Sequence, residues 1–195
     1  LPDRVMALSR GLPGRLRVAA AVTTGKVADE ILRHARLTST EMIVMGVDQH
    51  APINPIFAEV AVGAGCPVLA VPVLGRDRHR APTRLVCAVE FTSASLVAAD
   101  YGMLLARRLA AQLAIVHVVP EQWDVELGSE KDLRDDREVA EEHARRYLRL
   151  ALRDREDERR RDIDQVVVTG CPCVEIVRLA NTTDAGMIIL GRDDR

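Results

Sequence analysis

Residues 22–46 and 167–191 are two versions of one segment. Val22–Gly46 runs VTTGKVADEILRHARLTSTEMIVMG and Val167–Gly191 runs VVTGCPCVEIVRLANTTDAGMIILG. At an offset of 145 residues they align without gaps and agree at 11 of 25 positions. The identities include Gly25/Gly170, Glu30/Glu175, Ile31/Ile176, Arg33/Arg178, Ala35/Ala180, Met42/Met187, Ile43/Ile188 and Gly46/Gly191. An internal repeat limits the fold more tightly than any single element, because both copies must build the same local structure. The period here is that of a domain, not of a solenoid unit. The 195-residue chain is therefore expected to hold parts of two related domains, each about 145 residues long when whole. The first copy has no counterpart of Arg84 to about Arg161, and the second has none of Val47–Leu74. With a start at Leu1 rather than Met, the chain reads as incomplete at both ends.

Strand-like and helix-like runs alternate around the repeat. Strands are expected at Arg17–Thr24, Glu41–Gly46 and Cys66–Leu74, with helices at Val27–Leu37 and Pro55–Gly63. The polar, Pro-containing stretch around Gly75–Thr83 reads as a linker. The pattern then restarts, with strands at Arg84–Glu90, Leu113–Val119, Asp164–Thr169 and Gly186–Gly191. Helices are expected at Ser93–Ala111, about Lys131–Arg160 and Cys173–Asn181. This alternation implies βαβ units and a parallel sheet. The strands are continuous apolar runs, as expected where helices cover both faces. Aromatic residues make up 3% of the chain, so the core must be aliphatic.

Several function classes are excluded by charge and composition. The net charge is −2, so no global basic field exists to attract nucleic acid or anionic lipid. The segment Asp124–Asp162 mixes 14 acidic with 11 basic residues, which suits a solvated helix with i,i+4 ion pairs. Apolar runs such as Val60–Leu74 are interrupted by Gly and Pro and fall short of the ~20 residues a membrane span needs. No charged-then-apolar leader is evident, and four Cys without a disulfide framework suit a reducing cytoplasm. Cys66 and Cys87 lie in apolar runs and read as buried. Cys171-Pro-Cys173 is half of a zinc set, with no second pair to complete it, so no metal is expected. His34, His50, His79 and His143 pair with no nucleophile, His117 reads as a structural strand-end residue, and no catalytic constellation emerges.

The chain resembles the universal stress protein (UspA) family over nearly its whole length. Val86–Ser95 (VCAVEFTSAS) resembles the family's first strand and turn, and Leu104–Val119 (LLARRLAAQLAIVHVV) its first helix and second strand. Gly170–Ala180 (GCPCVEIVRLA) resembles the G-x-P-x-x-x-I-x-x-x-A turn and helix. Asp184–Gly191 and Thr40–Gly46 resemble the D-x-I-V-M-G strand, and Cys66–Val73 (CPVLAVPV) the final C-P-V-L-V-V strand. The resemblance implies an α/β fold of the Rossmann-like, adenine nucleotide alpha hydrolase-like kind, with a five-stranded parallel sheet. Residues 1–75 would be the C-terminal part of a first UspA-like domain and 76–83 a linker. Residues 84–195 would be the N-terminal part of a second domain lacking its last strand. Cys66–Val73 is then expected to pair beside the second piece's incomplete sheet or with another chain at an edge.

In the family's ATP-binding branch the fourth strand leads into G-x2-G-x9-G-S/T, whose backbone N–H groups and helix N-terminus hold phosphates. The resemblance assigns Glu90, where the family has Asp, to the nucleoside, Val118 to the base, and Gly191 to the start of the loop. Both copies depart from the pattern. Gln49 stands at the second Gly of the first copy, and Asn54-Pro55 at its Gly-Ser, with only seven residues between Gly46 and Asn54. In the second copy Asp194 replaces the second Gly, and Asp193 and Asp194 would repel phosphate. Glu90 also reads as a turn carboxylate capping the next helix near Ser93.

The resemblance thus implies a cytoplasmic, non-catalytic binding and regulatory protein of stress response with a degenerate ATP site and no obligate cofactor. It is expected to act as a homodimer or through intramolecular domain pairing. One alternative is a regulatory module of a cation/proton antiporter or other larger protein. Another is an ATP-hydrolysing stress protein, for which neither copy carries a full phosphate loop.

Overall fold

A computed structural model describes residues 19–48, 54–72, 81–121, 130–153 and 163–192, with the side chains of 130–153 described from 137 onward. The chain divides into two compact units, Leu1–Asp77 and Arg78–Arg195.

The first unit contains helix α1 (Val27–Leu37), strand β1 (Ile43–Val47), helix α2 (Pro55–Gly63) and strand β2 (Val68–Pro72). Helix α1 carries Asp29 and Glu30 in its first turn and His34 and Arg36 in its last, matching the helix dipole. Ala28 and Leu32, one turn apart, are its buried residues, and they join Ile43 and Val60 in a small core. Strands β1 and β2 run parallel, with Ile43 opposite Val68 and Met45 opposite Ala70. Within this unit β2, the core of the Cys66–Val73 run, pairs with β1 along one edge. The helices cover one face of this pair, so Val44 (60%) and Val71 (42%) remain exposed, against the expectation of two covered faces.

The expected strand at Arg17–Thr24 does not form over its described part. Residues 19–24 are irregular and exposed, while Arg17 and Val18 lie outside the described residues. A strand needs a partner for its backbone groups, and the described sheet of this unit holds β1 and β2 alone. Cys66 is only partly buried.

The second unit contains β3 (Arg84–Ala88), α3 (Ser93–Leu109), β4 (Gln112–Pro120), α4 (Glu130–Arg153), β5 (Ile163–Gly170), α5 (Pro172–Thr182) and β6 (Met187–Leu190). Its four strands are parallel in the order β5-β4-β3-β6. Period-two alternation sorts the side chains between the faces. Leu85, Cys87 and Val89 of the β3 segment join Leu113 and Ile115 of β4 under α3 and α4, which contribute Ala98, Ala99, Ala106, Leu148 and Leu152. Val86, Val116 and Val118 face the other way and meet Ile176, Leu179 and Ala180 of α5. Here β3 and β4 are covered on both faces, as the sequence predicts, whereas Ile188 and Leu190 of the edge strand β6 remain exposed.

Helix α4 buries Ala144, Leu148 and Leu152 at four-residue spacing. At the border of this stripe Glu141 bridges Arg137 at 3.2 Å and Arg145 at 2.8 Å, both at i,i+4. Exposed pairs of this kind contribute little individually; the apolar stripe holds the helix in place. Residues 154–162, the end of the expected charged helix, lie outside the described residues. No described helix is long and apolar enough to cross a membrane.

Candidate functional site

In an open parallel sheet, ligands gather at the carboxyl ends of the strands, where the strand order reverses. In the second unit the chain builds outward from β3 to β4 to β5, then returns to place β6 on the other side of β3. The switch point therefore lies between the ends of β3 and β6, and Glu90 and Gly191 flank it. Val118 lies on the next strand, two residues before the end of β4.

The turn after β3 is held by a dense set of local bonds. Val89 N–H donates to Val116 O at 2.9 Å. Glu90 N–H donates to Ser95 Oγ at 3.2 Å, and Ser95 Oγ in turn donates to Thr92 O at 3.0 Å. Ser95 is 2% exposed, so its hydroxyl belongs to the interior of the turn. Thr92 is the N-cap of α3, its Oγ1 accepting from Ser95 N–H at 3.2 Å. The capping role expected of Glu90 thus belongs to Thr92. The exposed Glu90 carboxylate instead accepts from Thr92 Oγ1 at 3.3 Å. A Ser or Thr just before a helical run is the residue type that caps, so Thr92 was readable from sequence.

Phe91 takes a left-handed backbone, φ 64°, which turns its ring onto His117: the centroids are 4.3 Å apart and the planes 30° apart. Tyr147 of α4 adds a tilted contact at 5.9 Å. His117 Nδ1 lies 2.8 Å from Val89 O. A carbonyl can only accept, so Nδ1 carries the proton. That is the structural strand-end role the sequence predicts. Neither Phe91 nor Tyr147 carried a sequence signal for this cluster, because the contacts join three elements far apart in the chain.

Gly191 lies where the end of β6 meets the first turn of α3. A Cβ there would come 2.5 Å from Ala94 O and 2.6 Å from Ser95 Cα, so only glycine permits this approach. Val118 is buried, and its side chain joins the α5-side cluster with Val86, Val116 and Ala180. Any contact it makes at the sheet edge must come from backbone atoms. The structure thus brings Glu90 and Gly191 to one edge and turns the Val118 side chain into the core.

In the first unit the segment that the resemblance sets against the family's phosphate loop joins β1 to α2. Gly46 lies within β1, while residues 49–53, Gln49 among them, lie outside the described residues. Asn54 caps α2, its Oδ1 accepting from Ile56 N–H at 2.9 Å, and Pro55 is the first helical residue. Asp193 and Asp194 also lie outside the described residues. Among the described residues no cluster of three or more His, Cys, Asp or Glu side chains could hold a metal ion.

The family model described as the universal stress protein family matches residues 82–195. No curated protein sequence matches the chain. Among solved structures, a Pseudomonas aeruginosa UCBPP-PA14 protein provisionally assigned as a universal stress protein is similar, with TM-score 0.68 and 15% identity, over 99% of this chain and 66% of that one. A functionally unknown protein from Pseudomonas aeruginosa PAO1 gives 0.65 and 16%, over 99% and 66%. A universal stress protein from Archaeoglobus fulgidus DSM 4304 gives 0.54 and 17%, over 83% and 53%. At these identities the likeness is one of fold, the parallel α/β architecture described above.

Proposed function

The chain belongs to the universal stress protein family, and from that premise we propose that it is a non-catalytic binding and regulatory protein whose nucleotide loop is degenerate. The observation that carries this reading is the start of α2. Anion binding at a helix N-terminus depends on free N–H groups in the first turn. Pro55 has none, and the Ile56 N–H is taken by the Asn54 side chain. At most the Phe57 N–H remains of the first three, too little to replace a glycine-rich cradle.

The same reading gives the chain an association role. Among the described residues β6 pairs with β3 alone, so the sheet ends at a strand with one unpaired edge. Such an edge favours pairing with a further strand, in a second copy or within a longer chain.

Titration calorimetry of the full chain with Mg-ATP tests the nucleotide reading. Heats of dilution alone are expected through the micromolar range. Saturable micromolar binding would overturn the proposal of a degenerate site.

A further inference from the structure

Two of the four cysteines stand together on the surface of the second unit, at the start of α5. Cys171 is the N-cap of the helix and Cys173 its second residue, with Pro172 between them. Both are exposed, and their Sγ atoms are 3.1 Å apart. The pair is a feature of this copy alone, because the equivalent residues in the first unit are Lys26 and Ala28.

We propose that Cys171 and Cys173 form a peroxide-responsive dithiol, with Cys171 as the attacking sulfur and Cys173 as the resolving one, closing to an intramolecular disulfide. This inference does not depend on the nucleotide reading. Its first support is geometric: sulfurs 3.1 Å apart are already at reacting distance. Two thiolates sharing a tetrahedral zinc would sit ~3.8 Å apart, given Zn–S bonds of about 2.3 Å, and no third ligand is present among the described residues. Disulfide closure therefore fits the pair better than metal binding does.

The roles of the two sulfurs follow from their surroundings. The contact between the two sulfurs, 3.1 Å apart, holds the Cys171 thiol below the ordinary thiol range, and its N-cap position places it at the positive end of α5. The same contact raises Cys173. The Glu175 carboxylate opposes the effect on Cys171, but Arg178 pairs with it at 3.4 Å. Cys171, at the N-cap, is thus the sulfur placed to act as the thiolate nucleophile, with Cys173 inside the first turn of the helix to resolve it.

The chemistry balances with a hydroperoxide as oxidant. The Cys171 thiolate attacks the terminal oxygen, the O–O bond breaks, and the leaving alkoxide takes a proton to give the alcohol, or water from hydrogen peroxide. Cys171 is then a sulfenic acid, oxidised by two electrons. The Cys173 sulfur attacks it, the S–O bond breaks, and hydroxide leaves with the Cys173 proton as water. The net change is two thiols and one hydroperoxide to one disulfide, one alcohol and one water. A small-molecule thiol reverses it by exchange.

The test uses the full chain with hydrogen peroxide, followed by alkylation, trypsin and mass spectrometry. Cleavage after Arg161 and Arg178 gives a peptide that holds these two cysteines and no other. The expected result is that this peptide loses two hydrogens, resists alkylation, and regains both on treatment with dithiothreitol. In Cys173→Ser the sulfenic acid on Cys171 should accumulate and be trapped by dimedone. Cys171→Ser should leave Cys173 largely unreacted over the same interval. A peptide that stays fully alkylatable, a disulfide that links two chains, or equal dimedone labelling in the two variants would each overturn the proposal.

Discussion

Gly25 and Gly170, 145 residues apart, hold the same backbone conformation, with φ of 146° and 149°. Each lies beneath a glutamate of the helix it precedes: a Cβ would come 3.1 Å from Glu30 Cγ in one case and 3.0 Å from Glu175 Cγ in the other. The glutamates in turn pair with Arg33 at 2.7 Å and Arg178 at 3.4 Å. One turn design is therefore built twice, and it needs glycine for its backbone and for its space.

Gly170→Ala is expected to destabilise the second unit by about 1–3 kcal/mol, since an L side chain rarely adopts this φ. Gly65→Ala serves as the control, because nothing lies within 4 Å of its Cβ position. Urea unfolding of the full chain followed by far-UV circular dichroism reads the difference. Equal midpoints for the two variants would show that the turn tolerates a side chain.

The opposite sign is expected at Ala110. It closes α3 in the left-handed region at φ 52°, and the Ala111 N–H donates to Ala106 O at 2.9 Å across the helix end. Glycine prefers this position, so Ala110→Gly should stabilise by up to about 1 kcal/mol. An unchanged or lower urea midpoint contradicts this.

Ser95→Ala removes the acceptor for Glu90 N–H from a buried turn. A cost of about 1–3 kcal/mol is expected for leaving that group unpaired. Thr92→Ala loses the cap on α3 and should cost about 1 kcal/mol. The two residues are hydrogen-bonded to each other, so the double variant should cost less than the sum. Strict additivity in a double-mutant cycle would refute the coupling.

The Glu141 carboxyl is held below the ordinary carboxylate range, first by the Thr169 hydroxyl and then by Arg137 and Arg145. The Thr169 bond, 2.8 Å, ties α4 to β5. A carboxyl whose folded value is depressed contributes stability above its unfolded value and loses it as pH falls through the folded one. Stability should therefore drop from the ordinary carboxylate range downward, and Glu141→Gln should flatten that part of the curve. A parallel pH profile for variant and parent would exclude Glu141 as a contributor.

Cys87 is fully buried in β3, and burial pushes its thiol up to about 12. Ellman's reagent is expected to reach Cys171 and Cys173 quickly in the native chain and Cys87 only after denaturation. Rapid native labelling of Cys87 would mean that the sheet opens readily near β3.

Much of the fold could be read because its signals are local. The expected helices Val27–Leu37 and Pro55–Gly63 match the observed ones residue for residue. The start of the second helix was equally plain, since the Asn54 cap and the missing N–H of Pro55 are properties of single residues. The turn after β3 was legible only in part. Glu90 stood out, but the work of the turn is shared among Thr92, Ser95, Phe91 and His117, and the stacking of Phe91 on His117 exists only once β3 and β4 lie side by side.

The repeat itself marks the boundary between the two kinds of information. Val22-Thr23-Thr24-Gly25 and Val167-Val168-Thr169-Gly170 carry nearly the same residues, and each ends in the same glycine turn into a helix of the same length. Turn and helix follow from bonds between residues a few positions apart, so the sequence alone determined them. The strand does not. Val167, Val168 and Thr169 are extended in β5 because His117, Val118 and Val119 of β4 lie alongside, whereas Val22–Thr24 are irregular, with no such neighbour among the described residues. A strand's hydrogen bonds belong to another part of the chain, and only the tertiary structure decides whether that part is there.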